Sequence, residues 1–222
     1  MKNPLLLALF ILAICLFIIF YLVSALFYKK RHNTKYHFYQ MFPYEFNYPN
    51  VFRPNFYGNI IMVLACLAVI GFYEINPLQS IYRIVAIILS IVITMLIILL
   101  LLLPLRYLRT HMVLSTVLMT ISASLPLFNL FAALQEFKAT TVEINKVMCI
   151  ISMVVSGLLS LTMLLLILNP KLSFKIYYDK DIDEEGKEVF KRPKIIHIAL
   201  AEWWAIFVFF LSGLGVLLIN LL

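Results

Sequence analysis

Residues Ile84–Leu105 read IVAIILSIVITMLIILLLLLPL, 22 residues without a single Asp, Glu, Lys or Arg. A helix rising about 1.5 Å per residue needs about 20 apolar residues to cross a hydrocarbon layer of roughly 30 Å. A membrane barrel strand would instead alternate over about 10 residues, and Leu96–Leu103 does not alternate at all. Backbone immersed in lipid must satisfy its own N–H and C=O groups, which a helix does within one segment. The stretch therefore predicts a transmembrane helix.

Five more runs of the same kind flank it: Asn3–Tyr28, Pro54–Tyr73, Thr110–Gln135, Val147–Pro170 and Trp203–Leu222. Each is long enough to span. A charge at the bilayer centre costs about 2.5–3.5 kcal/mol, so six runs that avoid one are a strong signal. The predicted spans are 4–28, 57–73, 84–105, 111–134, 147–169 and 200–221, within a single membrane domain. The second is the weakest, because Pro54, Asn55, Gly58 and Asn59 crowd its start. The first outlasts a signal-peptide core and stops at Lys29, Lys30 and Arg31, so it reads as a retained helix. The expected fold is all-α: a polytopic integral membrane protein built as a six-transmembrane-helix bundle with short loops.

Composition agrees. Of 222 residues, 64% are hydrophobic and 13% charged, with a mean hydropathy of +0.99. Soluble domains are about half apolar and about a quarter charged. A globule this small could not hide the surplus. A soluble enzyme, a disordered chain and a disulfide-stapled secreted domain are thereby excluded.

Fourteen of the 18 Lys and Arg residues fall in the connections after spans one, three and five. The positive-inside rule puts those connections in the cytoplasm and both termini outside. The Ile, Leu and Lys bias points to the plasma membrane of an AT-rich bacterium. The net charge of +7 then forms a basic skirt facing anionic lipid headgroups. It does not point to nucleic acid, because no folded basic domain stands outside the membrane.

Two cytoplasmic connections have character. The first, 29–53, carries Tyr36, Phe38, Tyr39, Phe42, Tyr44, Phe46, Tyr48 and Phe52. Aromatic rings settle at the headgroup level, so the plainer expectation is a loop lying flat on the membrane. The alternative is a docking surface for a partner protein. The other, 171–197, holds Asp183-Glu184-Glu185-Gly186-Lys187 between Lys175–Tyr178 and Glu188–Lys191, which suggests a hairpin. Asp179, Asp181 and Asp183 alternate as in a calcium loop, but Glu184 stands where such a loop needs Gly. A solvated turn is the better reading.

Groups able to carry chemistry are few. Thr116, Thr120 and Ser124 recur at i, i+4, i+8, as do Ser152, Ser156 and Ser160. Each set forms one helix stripe. Small hydroxyl residues at that spacing let helices approach and bond across, so the expectation is that spans four and five pack through these stripes. A polar path that includes Asn129 is the alternative. Pro126 should kink span four, with Asn129 serving the freed carbonyl. At the cytoplasmic face stand Arg106, Arg109, Lys191, Arg192, Glu202, Trp203 and Trp204. The tryptophans read as interfacial, and Glu202 is expected to pair with Lys194, His197 or Arg109. Cys15, Cys66 and Cys149 sit in apolar runs and read as buried apolar residues. No metal or cofactor motif is spelled, and no catalytic residue is assigned.

The preferred expectation is a non-enzymatic accessory or scaffold subunit of a transporter-type membrane complex. Its partners would be membrane lipids and another membrane or cytoplasmic protein. A small stand-alone transporter or channel is the alternative. A lipid-modifying enzyme using His111, Glu202 or Asp179 with Arg106 or Arg109 is a third.

Overall fold

The computed structural model describes residues 4–47, 54–78, 80–103, 108–169, 172, 179–182, 188–191 and 193–220. Its helices are α1 (Pro4–His32), α2 (Phe56–Glu74), α3 (Ser80–Leu102), α4 (Leu108–Ala139), α5 (Glu143–Ile167), α6 (His197–Leu211) and α7 (Gly213–Asn220). The last two form one span broken at Ser212, so six helical segments are long and apolar enough to cross a membrane. The shortest, α2, has 19 residues and reaches about 28 Å, the thickness of the hydrocarbon layer. The chain is thus a six-helix membrane bundle.

Lipid replaces water around most of it. Within the most apolar 18 residues of each span, 67% are buried in α6–α7 but only 22% in α1 and in α5. The final span is therefore the centre of the bundle. Leu22, Ile88, Met95, Leu161 and Leu165 point outward into the hydrocarbon. The most extensive pairings are α4 with α5 and α1 with α2. At the α1–α2 contact the Asn55 amide donates to Ser24 Oγ (2.8 Å), and a Cβ on Gly58 would collide with both side chains.

The spans alternate in direction. At one end the connection after α1 meets the end of α3 and the starts of α4 and α6. This end carries the lysine- and arginine-rich connections. At the other, Leu78, Glu136, Asn145 and Asn220 surround a hollow of about 370 Å³. A short antiparallel hairpin pairs β1 (Asp179–Ile182) with β2 (Glu188–Lys191), from Asp179 opposite Lys191 to Ile182 opposite Glu188. Its second strand falls on the predicted Glu188–Lys191. Its first begins at Asp179, and both Lys175–Tyr178 and the turn at 183–187 lie outside the described residues.

The break at Ser212 is held by a closed polar network. Ser212 Oγ donates to Phe209 O (2.7 Å), so the Tyr73 hydroxyl donates to Ser212 Oγ (3.0 Å). The Asn129 amide gives its two protons to Tyr73 Oη (2.9 Å) and Ser212 O (2.8 Å). Every donor proton in the set has an acceptor. Asn129 was expected to serve the carbonyl freed by Pro126; it instead reaches across to the broken span. α4 itself runs on through Pro126.

Candidate functional site

The basic end of the bundle contains a buried acid–base pair. Glu202 lies in the second turn of α6 and is 0% exposed. Its Oε1 meets His111 Nε2 at 3.0 Å and Ser115 Oγ at 2.5 Å. His111 and Ser115 are i, i+4 on α4 and share one face; both are also 0% exposed. None of the expected partners Lys194, His197 or Arg109 is the one found.

The proton count follows from the third contact. His111 Nδ1 lies 3.0 Å from Leu103 O. A carbonyl oxygen only accepts, so Nδ1 carries a hydrogen. One further proton must then lie between Nε2 and Oε1. As imidazolium with carboxylate, or imidazole with carboxylic acid, the pair is neutral as a unit. That neutrality is what a low-dielectric interior tolerates. Glu202 Oε2 has no hydrogen-bond partner among the described residues.

An aromatic plug closes the site. Phe42 and Tyr44 turn their rings edge-on to His111, with centroids 5.6 and 5.4 Å away. Tyr44 belongs to a 3₁₀ turn at Pro43–Asn47 and Phe42 immediately precedes it; Glu45 caps the turn by accepting the Phe42 N–H (2.9 Å). The Tyr36 hydroxyl lies within bonding reach of Met41 O and Phe42 O, and Trp203 Nε1 donates to Tyr36 Oη and Met41 O (both 3.1 Å). Burial, reinforced by the nearby Glu45 charge, pushes the Tyr36 phenol well above its ordinary pKa. Arg31 donates to Phe46 O (2.6 Å). Asn47 exchanges amide bonds with Asn59 (2.8 and 3.3 Å) and donates to Leu101 O (2.8 Å). Leu101 O in the last turn of α3, where carbonyls have no partner within their own helix, is thus capped by Asn47, and Leu103 O just beyond the helix by His111. Over 29–47 the expectation of a loop lying flat on the membrane is overturned: Tyr36, Phe42 and Phe46 are core residues, while Tyr48 and Phe52 lie outside the described residues.

The remaining predicted residues separate. Ser152 Oγ donates to Gly215 O (2.7 Å) and Ser160 Oγ to Ala123 O (2.9 Å), so this stripe binds α7 and α4. Ser156 is buried beside Gly215. The α4 stripe does not pack against α5 in the expected manner. Thr116 and Thr120 are exposed and Ser124 is half-buried. Each hydroxyl bonds the carbonyl four residues back, at 2.9–3.0 Å, which satisfies it without a neighbour. Trp203 is buried against the plug, while half-buried Trp204 donates to Thr162 Oγ1 on α5 (3.1 Å). Arg109 is exposed. Arg106, Arg192 and the side chains of Asp179 and Lys191 lie outside the described set.

Of the enzyme hypothesis, the structure brings His111 and Glu202 together, but both fully buried and with Phe42 and Tyr44 packed edge-on against His111. Sequence reasoning missed Ser115 and the plug. The usable signal was a histidine with a serine four residues on, just inside a charge-free run. No group of three or more His, Cys, Asp or Glu able to hold a metal occurs among the described residues. Comparison with protein-family models, curated proteins and solved structures finds no match.

Proposed function

We propose that this chain is a non-enzymatic scaffold subunit of a membrane assembly of the transporter type, set with its basic end in the cytoplasm. The observation that carries the reading is where the intramembrane polar groups go. Asn129, Tyr73 and Ser212 bond to one another, and Ser152 and Ser160 bond to α7 and α4. Such bonds fasten helices together. A bundle fastened inside and plugged at one end suits a rigid platform better than a conduit, and leaves its loops and outer faces to meet a partner.

Purification of the tagged full chain in mild detergent tests this. A second membrane protein should co-purify in fixed stoichiometry. Replacing residues 179–191 with a short Gly-Ser linker should release it while leaving the thermal midpoint unchanged. A clean monomer with nothing bound overturns the reading.

The second reading is a small stand-alone transporter linked to protons. The buried Glu202 carboxyl favours it, since intramembrane acids mark ion and proton routes. Uptake into proteoliposomes driven by a pH gradient, and abolished by Glu202→Gln, would establish it; gradient-independent vesicles would remove it.

A further inference from the structure

We propose that the groove between α1 and α6 holds an acyl chain of an anionic phospholipid, whose headgroup is bound by Lys29 and Lys194. The inference goes beyond the scaffold reading and does not depend on it. The groove encloses about 360 Å³ and is lined by Phe17, Tyr21, Phe38, Trp203, Trp204 and Phe207 among others. That volume is within the range of small-molecule sites, about 300–1,000 Å³.

The lining selects hydrocarbon. Both indole N–H groups are already engaged elsewhere, Trp203 with Tyr36 and Met41, Trp204 with Thr162. What the tryptophans offer the groove is ring surface. A polar ligand would lose its own hydrogen bonds there.

The upper end selects a negative charge. Ile18 and Leu22 line the groove from α1. Lys29 lies eleven and seven residues farther on, which returns to the same helix face within about 20°. The Tyr21 and Trp203 rings touch, with centroids 5.7 Å apart, and so set the level of α6 against α1. Lys29 is eight helical residues beyond Tyr21, about 12 Å closer to the basic end, and Lys194 lies at that end too, in the non-helical segment three residues before the start of α6. The Ile196 N–H bonds Tyr39 O (2.8 Å) and holds the segment leading into α6 against the Phe38 wall of the groove. Lys29 and Lys194 are exposed and form no ion pair among the described residues. An apolar slot beneath two exposed ammonium groups complements a lipid with an anionic head.

The protein supplies its own reporter, because Trp203 and Trp204 are its two tryptophans and both line the groove. Full-length protein is reconstituted in unlabelled phosphatidylcholine doped with a small fraction of acyl-brominated phosphatidylglycerol or acyl-brominated phosphatidylcholine. Bromine quenches tryptophan on contact. At about fivefold preference per lysine, the pair should favour the anionic lipid on the order of thirtyfold. The brominated phosphatidylglycerol should therefore quench at far lower fractions. Lys29→Gln/Lys194→Gln should abolish the difference, and Arg109→Gln, on the same end but away from the groove, should preserve it. Equal quenching by the two lipids overturns the anionic site. Equal loss in the Arg109 variant reduces it to general surface attraction. Absence of quenching by either lipid means that protein, a second copy or a partner helix, fills the groove, and overturns it as well.

Discussion

The buried His111–Glu202 pair is neutral only as a unit, so neither member can be removed without leaving the other uncompensated. His111→Ala would leave the carboxyl buried with only Ser115 on Oε1, and should cost about 3–5 kcal/mol in detergent unfolding, as breaking a buried pair does. The double variant His111→Leu/Glu202→Leu should recover most of that loss, because apolar residues need no compensation. An unchanged midpoint for His111→Ala would show that the pair does not hold the helices. Tyr36 gives a pH dependence with a definite sign. Its buried phenol keeps its proton above pH 10.0, the pH at which a solvated tyrosine has released half of its own. The folded state then binds more protons than the unfolded one. Stability from this residue is complete below about pH 10 and falls as the pH rises beyond it. Tyr36→Phe should make that alkaline fall shallower in unfolding curves taken from about pH 8 to about pH 11. It should also cost about 1–2 kcal/mol at neutral pH through the bonds lost around Phe42 O and Trp203.

Helix contacts give a sharper test, because two glycines differ in their surroundings. A Cβ on Gly215 would run into Ser156 Oγ and approach Ser152 Oγ at 3.3 Å, whereas on Gly71 it would meet only Leu9 Cδ1 at 3.7 Å. Gly215→Ala should lower the thermal midpoint, by an amount equivalent to about 1–3 kcal/mol of overpacking, and Ser156→Ala in the same chain should restore much of it. Gly71→Ala should be neutral or gain about 0.5–1 kcal/mol from helix propensity. The two hydroxyl stripes show what spacing can and cannot say. An i, i+4, i+8 pattern guarantees that Thr116, Thr120 and Ser124 share a face, but not which neighbour the face meets. Hydroxyls that bond back to their own helix need no partner on a neighbour, and these three do so. The Glu202 partnership was illegible for a related reason. His197 is five residues away on the same helix, hence about 140° around it, while His111 comes from a different helix, and the rotation of that helix is set by packing. Composition likewise could not separate an interfacial aromatic loop from a plug, since both need rings with polar edges.

The architecture of the whole molecule was legible because exclusion of charge from hydrocarbon is a one-dimensional rule; it can be read residue by residue. The uneven spread of Lys and Arg between the two ends predicts the sidedness, which labelling tests. In sealed cells, a membrane-impermeant maleimide should label Lys138→Cys directly and Lys194→Cys only after permeabilisation; the reverse pattern would invert the protein. The plug was hidden because its contacts join distant parts of the chain, and that distance has a consequence for biogenesis. Trp203, which fastens Tyr36, is 167 residues downstream of it. At roughly 5–20 residues per second, a ribosome delivers this clasp on the order of ten to thirty seconds after the aromatic segment has emerged. During that interval the nascent protein holds a cluster of rings with nowhere to dock, so the insertion machinery, or a waiting helper, must shelter them until the last span arrives.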